Sequence, residues 1–304
     1  MKDLLSIKDL GNKGAILNLL DLADKIKKNP HEYYKRLAHK CIILIFEKTS
    51  TRTRISFENG MYQLGGNAIY LDWRTSNFHL GALEDEIKCI SSYVDLIMAR
   101  VNQHKTLKLM KNYSSVPIIN GLSDKYHPCQ ALSDLMTIRE HFRNFTNLQV
   151  SFIGDGNNVC NSLIVGCILL GISITVATPE HYKPHSEVLD WVKHSKNANL
   201  FEWTSNPVDA VKEANVIYTD TFVSMGQESE KEQRMEAFKS FQINTELLTA
   251  CEEDYVIMHC LPAHRGVEIT DNVIESPQSI IFRQAENRIY LQKALMVQIL
   301  GQNP

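Results

Sequence analysis

Short apolar runs alternate along this chain with longer stretches in which apolar positions recur every three or four residues. Ile42-Ile43-Leu44-Ile45-Phe46, Ala68-Ile69-Tyr70-Leu71, Leu96-Ile97-Met98-Ala99 and Val116-Pro117-Ile118-Ile119 read as strands. Ala15 to Lys28, with Ile16, Leu19, Leu20, Ala23 and Ile26 on one face and Asn29-Pro30 at its end, reads as an amphipathic helix. Further helices are expected from Thr51 through Leu64, from Glu84 to Val94 and from about Pro128 to Phe142. Unbroken apolar strands separated by helices are the pattern of a parallel sheet covered on both faces.

A polar interval, Arg143-Asn144-Phe145-Thr146-Asn147, precedes a second alternating series. Its strands are expected at Val150–Ile153, Ser173–Ala177, Leu200–Trp203, Val216–Thr219 and Tyr255–Met258, with an apolar helix ending at Leu170. The last helix, Glu286 to Leu300, is long enough to return to the first half. The fold class is therefore α/β in two domains, each a mostly parallel sheet flanked by helices. One domain is expected over 1–142 together with 286–304, and the other over 143–285. The mixed-charge run Gln227 to Arg234 reads as a solvated loop or helix start.

Composition narrows the classes. At 304 residues the chain suits two domains of ordinary size. A net charge of −3 argues against nucleic acid or a membrane gripped by bulk electrostatics, so any anion site must be local. Seven cysteines without a Cys-x-x-Cys pair suggest a reducing compartment. The first residues lack a targeting pattern and no apolar run reaches about eighteen residues, so cytoplasm is the expected location.

Candidate chemistry lies after the strands, because ligands of open parallel sheets sit beyond the strands' carboxyl ends. Ser50-Thr51-Arg52-Thr53-Arg54 joins a strand to a helix. Ser50 suits the cap, the first helical N–H groups point at an anion, and guanidiniums grip phosphate oxygens in pairs. Arg54 shares a stripe with Phe57, Met61 and Leu64, the place of a buried structural arginine, whereas Arg52 is turned away and is assigned the phosphate. Arg100 ends its strand where it can reach a ligand. His127 and Gln130, three apart at a helix start opened by Pro128, can polarise a carbonyl oxygen and hold an NH2 group.

In the second half, Gly154-Asp155-Gly156-Asn157-Asn158 superficially suits a dinucleotide, but Val159 replaces the third glycine and Thr178-Pro179-Glu180 leaves no acidic residue at the next strand end. Asp220 closes a strand and can pair with an amine, before Thr221-Phe222-Val223-Ser224-Met225-Gly226. Cys260 leaves three readings open: nucleophile, polar contact, or a zinc ligand shared with His264, where two ligands fall short of the usual set.

Jointly, Ser-Thr-Arg-Thr-Arg at 50–54, His-Pro-Cys-Gln at 127–130, Gly-Asp-Gly-Asn-Asn at 154–158, Asp-Thr-x-x-Ser-Met-Gly at 220–226, His-Cys-Leu-Pro at 259–262 and Glu-Asn-Arg at 286–288 resemble the carbamoyltransferase family, in its ornithine-specific branch. The resemblance implies a first domain for carbamoyl phosphate and a second for ornithine. It implies that Ser50, Thr51, Arg52, Thr53 and Arg100 hold the phosphate, and that His127, Gln130, Cys260, the Leu261 carbonyl and Arg288 contact the rest of that substrate. Asn158, Asp220, Ser224 and Met225 would bind ornithine. His79 would complete the carbamoyl phosphate pocket across a subunit boundary, although relatives often have Arg-Gly-Glu where this chain has Ala82-Leu83-Glu84. Arg52, Arg100, His127, Asp220 and Cys260 are the expected catalytic set, in a homotrimer that needs no metal and no cofactor. The implied reaction is attack of the neutral δ-amine on carbamoyl phosphate, giving citrulline and phosphate. The competing classes are an NAD-linked oxidoreductase built on 154–158 and a non-catalytic ligand-binding relative.

Overall fold

The computed structural model describes residues 3–224, 226–252 and 254–301. The chain forms two compact units, Met1–Met136 with Glu286–Pro304, and Thr137–Ala285. The division falls inside a helix, ahead of the polar interval at 143–147.

Unit 1 is built on α1 (Lys13–Lys28), β1 (Cys41–Phe46), α2 (Thr51–Gln63), β2 (Asn67–Asp72), α3 (Leu83–Ser91), β3 (Leu96–Arg100), α4 (His104–Tyr113), β4 (Ile118–Leu122) and the start of α5 (Pro128–Phe142). The strands form one parallel sheet in the order β2-β1-β3-β4. Central β1, and β3 up to the arginine that closes it, are apolar because helices bury both faces, while β2 is an edge strand with its first and third residues exposed. Phe46 pairs with Arg100, so the residues after β1 and the guanidinium that closes β3 emerge at one end of the sheet. The register slips beside Arg100, where Ala99 faces Asn120 and Arg100 faces Leu122. Gly121 is the skipped residue, and a methyl there would overlap Met98 Sδ. The fourth expected strand thus begins and ends two or three residues later than its apolar run suggests.

Unit 2 holds β5 (Gln149–Ile153), α6 (Asn158–Leu170), β6 (Ser173–Ala177), α7 (Ser186–Lys193), β7 (Phe201–Thr204), α8 (Pro207–Val211), β8 (Val216–Thr219), α9 (Lys231–Ala237), α10 (Thr245–Leu248), β9 (Val256–His259) and α11 (Asp271–Ile274). Its parallel sheet has the order β7-β6-β5-β8-β9. The order reverses about β5 and β8, so the loops after those two strands open side by side, the usual place for a ligand in such sheets. Among the described residues no helix is long and apolar enough to cross a membrane.

The last helix, α12 (Ile281–Leu300), starts five residues earlier than its sequence pattern suggests and carries buried polar residues on its inner side. In unit 1 it lies against α2 at Gly60, where an added Cβ would stand 3.3 Å from both Lys293 Cγ and Met296 Cε. Lys293 Nζ donates to Gln63 Oε1 at 2.8 Å, and Arg288 Nη2 donates to Thr53 Oγ1 at 2.9 Å. The helix therefore grips α2 at both ends.

Two glycines separate contact with backbone from contact with side chains. A Cβ on Gly156 would overlap the backbone of Lys183 and Pro184 and stand 2.6 Å from Tyr182 O, so Gly156→Ala must push the loop after β5 away from that segment. We expect Gly156→Ala to cost about 2 kcal/mol or more. Gly60→Ala, which meets movable side chains and gains helix propensity, should stay within about 1 kcal/mol. Denaturant midpoints measure both, and equal effects would show that the chain has room at 156.

Candidate active site

The start of α2 is fixed by its own side chains. Ser50 is extended and caps the helix, its Oγ accepting from Thr53 N at 3.3 Å and lying 3.1 Å from Thr53 Oγ1. Capping leaves the first turn's other N–H groups directed outward, beyond the carboxyl end of β1, where an anion meets the positive end of the helix. Arg52 is half-buried, and Arg100 and Arg288 are 7 % and 3 % exposed. All three guanidiniums act on buried His127: burial first, then Arg288, Arg100 and Arg52, drives its pKa well below the usual histidine value. His127 is therefore a neutral imidazole ringed by cations, suited to donate one N–H without adding a fourth positive charge.

The turn before His127 is tied by a polar hub. Asn120 Nδ2 donates to Leu5 O at 2.9 Å and Tyr126 O at 3.2 Å, and Ser123 Oγ accepts from Tyr126 N at 3.2 Å. His104 Nδ1 lies 3.0 Å from Ser123 Oγ, and burial lowers this imidazole to about 4. Just beyond, Gln130 Nε2 donates to Asp134 Oδ1 at 2.8 Å, both side chains being buried on one face of α5. Burial pushes the Cys129 thiol up to about 12, so it is no nucleophile.

Unit 2 has a site of opposite sign. Asp220 Oδ1 accepts from Cys260 Sγ at 2.9 Å and from Thr221 N at 2.8 Å, and Oδ2 accepts from Asn157 Nδ2 at 2.7 Å. A carboxylate beside the sulfur opposes thiolate formation, the reverse of the cationic surroundings that activate nucleophilic cysteines. The strand-end turn is held through His259, whose Nδ1 accepts from Leu261 N at 2.8 Å, so Nε2 carries the proton toward Glu268 Oε1 at 3.1 Å. Leu261 sits at φ 59, a left-handed conformation that costs a branched residue energy and that this bond helps to hold. Behind it, Gln284 Oε1 accepts from His259 N at 2.9 Å, and Gln284 Nε2 donates to Tyr218 OH at 3.0 Å.

Several expectations need correction. Arg54 is exposed, pairs with Glu58 at 3.0 Å and stacks 3.8 Å from the Tyr70 ring centre, because the buried stripe begins at Thr53 and Phe57. The run 227–234 is not simply a solvated segment. Arg234 at its end is 6 % exposed, 3.0 Å from Asp155 Oδ2, 3.2 Å from Phe222 O and 2.9 Å from Glu230 Oε2. Burial pushes Asp155 up to about 6 against the pull of Arg234. Gly156, where a dinucleotide loop brings its pyrophosphate close, faces the chain's own backbone. The cluster of possible metal ligands among the described residues is Asp220, His259 and Cys260, with atoms within 4.8 Å of one another, and His264 is not in it. Both His259 ring nitrogens there already face hydrogen-bond partners.

Ser50, Thr53, Arg52, Arg100, His127 and Arg288 are brought together in unit 1, and Asp220 and Cys260 in unit 2. Thr51 is exposed on the first turn of α2, and Asn158 opens α6 beside Asn157, the amide that holds Asp220. Ser224 N donates to Gln227 Oε1 at 3.0 Å, and Met225 lies outside the described residues. His79 is exposed on the segment joining β2 to α3, beside Leu80 at 72 %. Sequence reasoning missed Asn157, Asp134, Arg234, His259 and Glu268 as working residues. Each bonds a residue or loop that it did single out, and a local signal existed only for Glu268, an acid set between Val267 and Ile269.

Residues 2–140 match the family model described as "Aspartate/ornithine carbamoyltransferase, carbamoyl-P binding domain", and residues 146–299 match its companion, the "Asp/Orn binding domain". The chain is 46 % identical to the ornithine carbamoyltransferase of Archaeoglobus fulgidus over 99 % of this chain and 98 % of the relative. It is 46 % identical to that of Methanosarcina mazei over 98 % and 99 %. The solved ornithine carbamoyltransferase of Pyrococcus furiosus superimposes with a TM-score of 0.94 at 44 % identity, over 100 % of this chain and 98 % of that one.

The neutral histidines set a pH dependence of stability. Below about 6.5 the unfolded chain protonates these imidazoles while the folded chain does not. The unfolded state then binds more protons, so stability is full above that pH and falls below it, by up to about 1.4 kcal/mol per pH unit for each site. For His104 the loss stops near its folded value of about 4. His127→Gln and His104→Gln should each flatten the acid decline in denaturant stability; unchanged slopes in both would remove the neutral-imidazole account.

Proposed function

We propose, since the chain belongs to the aspartate/ornithine carbamoyltransferase family, that it transfers the carbamoyl group of carbamoyl phosphate to the δ-amine of L-ornithine, giving L-citrulline, an arginine precursor, and phosphate. The observation that carries this reading is the neutral His127 among Arg52, Arg100 and Arg288 at the capped start of α2. A phosphate dianion joined to an uncharged carbonyl needs that combination of charge and neutral donor. Ser50, Thr51, Arg52, Thr53 and Arg100 take the phosphate. His127, with Arg100 and Thr53, takes the carbonyl oxygen, and Gln130, Cys260, the Leu261 carbonyl and Arg288 take the remaining carbamoyl contacts.

Ornithine is the ligand of unit 2. A carboxylate whose two oxygens are held by Cys260, Thr221 and Asn157 is suited to a cationic amine, and Asn158, Ser224 and Met225 join Asp220 in binding it. Carbamoyl phosphate brings its own leaving group, so the protein's work is to orient two reactants and stabilise charge on the carbonyl oxygen and departing phosphate. The attacking amine must be uncharged, and its neutral fraction rises with pH. His79 acts in a neighbouring subunit's pocket of a homotrimer. Exposed Ile55, Tyr62 and Leu80 support such an interface. Free cysteines throughout the described chain support a reducing, cytoplasmic setting.

A colorimetric citrulline assay with carbamoyl phosphate and, in turn, ornithine, N-acetylornithine, N-succinylornithine, putrescine and aspartate tests the substrate. Ureido product from ornithine alone is expected, and preference for another amine would reassign unit 2. Arg52→Ala should lower kcat by about 10²–10³. Near-normal turnover at saturating carbamoyl phosphate would strip Arg52 of its role. Values of kcat/KM for ornithine should climb from neutral to alkaline pH, and a flat profile would mean that the enzyme accepts the protonated amine.

A further inference from the structure

We infer that Asp134 is a positioning residue that sets selectivity for an NH2-bearing acyl phosphate, by turning the amide oxygen of Gln130 toward the ligand. The inference rests on the assignment of Gln130 to the carbamoyl group.

A glutamine at a binding site can present either a donor or an acceptor, and which it presents decides what it selects. Gln130 Nε2 donates to Asp134 Oδ1 at 2.8 Å, because a carboxylate oxygen is an acceptor and draws the amide's NH2 side. With Nε2 held there, the acceptor Oε1 is the amide atom turned away from Asp134. An acceptor there accepts from a carbamoyl NH2, is itself left unpaired opposite a methyl, and repels a carboxylate oxygen. Acetyl phosphate and carboxyphosphate have the same phosphate and nearly the same shape as carbamoyl phosphate, so the arginines do not tell them apart. Gln130 does, provided its amide cannot turn over.

The placement suits locking rather than capping. Asp134 lies one helical turn beyond Gln130 on the same face of α5, with exposures of 0 % and 1 %. An aspartate is a poor helix-interior residue, and burying a carboxyl group is costly unless it is hydrogen-bonded. The backbone around Gln130 is satisfied separately, since His127 O accepts from both Gln130 N and Ala131 N at 3.2 Å. Asp134 thus acts on the side chain of Gln130, where the choice of donor or acceptor is made.

The test measures dissociation constants of the full-length protein by calorimetry for three probes: inorganic phosphate, phosphonoacetamide (amide NH2) and acetonylphosphonate (methyl in place of NH2). Unaltered protein should prefer the amide over the ketone by about 5- to 100-fold, the range for leaving one buried acceptor unpaired. Asp134→Leu removes the lock, so the ratio should fall toward one with phosphate affinity nearly unchanged, a pattern that general loosening of the fold would not give. Gln130→Met should collapse the ratio equally, and adding Asp134→Leu to it should change the ratio no further. Where leucine is not accommodated, Asp134→Ser, too short to reach Nε2 but still polar, supplies the same comparison. Retention of the amide preference in the Asp134 variants, or independent losses in the double variant, overturns the inference. Failure of the unaltered protein to bind phosphate and phosphonoacetamide would instead overturn the carbamoyl phosphate site itself.

Discussion

Three guanidiniums gathered about one imidazole at a helix N-terminus repel one another, and much of unit 1 can be read as the means of holding them in place. Like charges packed together repel more strongly as the effective dielectric around them falls. The three come from different elements, Arg52 on α2, Arg100 at the end of β3 and Arg288 from α12, so each is held by its own backbone. The sheet register fixes the second against the first through the Phe46–Arg100 pair. The third is set by the seat of α12 on α2, from the Arg288–Thr53 bond at one end to the Gly60 contact and the Lys293–Gln63 bond at the other. Keeping His127 uncharged is part of the same economy, since a fourth cation there would add repulsion without adding grip.

Unit 2 solves the complementary problem with the opposite sign. Its centre is a carboxylate, Asp220, tied on both oxygens, and the loop that follows is anchored by Arg234, which bonds both Asp155 and the Phe222 carbonyl. Removing one member of a buried ion pair leaves an unpaired charge in low dielectric. The pair therefore ties the position of α9 to the loop after β5. A dianion binder and an amine binder are thus built in separate units, each from loops at the carboxyl ends of its own parallel strands.

The legible parts of this fold were those fixed by burial. Runs such as Ile42–Phe46 can only be strands covered on both faces, and all nine expected strands form, displaced by at most a few residues. Side chains whose place depends on distant partners were read less well. Periodicity put Arg54 on the buried stripe, yet a guanidinium with Tyr70 and Glu58 at hand is better stacked at the surface. The mixed charge of 227–234 made Arg234 read as solvated, because nothing local announces that Asp155, seventy-nine residues earlier, will face it. The grouping of Ser50, Thr51, Arg52 and Thr53 was legible because they are contiguous at one helix start. The network behind Cys260 was not: His259 stood in a motif with no partner assigned to it, and Glu268, an acid between Val267 and Ile269, carries no motif of its own.

The same geometry bears on which catalytic strategies remain open. Covalent transfer through a thiol needs a thiolate near cations, whereas Cys129 is deeply buried with its pKa pushed up to about 12, and Cys260 donates to a carboxylate. General-base removal of the amine proton by His127 is disfavoured on the same grounds. An imidazole surrounded by three guanidiniums resists taking up a proton, and what it offers is a hydrogen-bond donor. Direct attack by an already neutral amine is what these environments leave, with polarisation of the carbonyl and neutralisation of the departing phosphate as the protein's contribution. Under the proposed reaction, the concentration of positive charge that strains unit 1 is also a catalytic resource, because negative charge builds up on those two groups as the carbamoyl bond is exchanged.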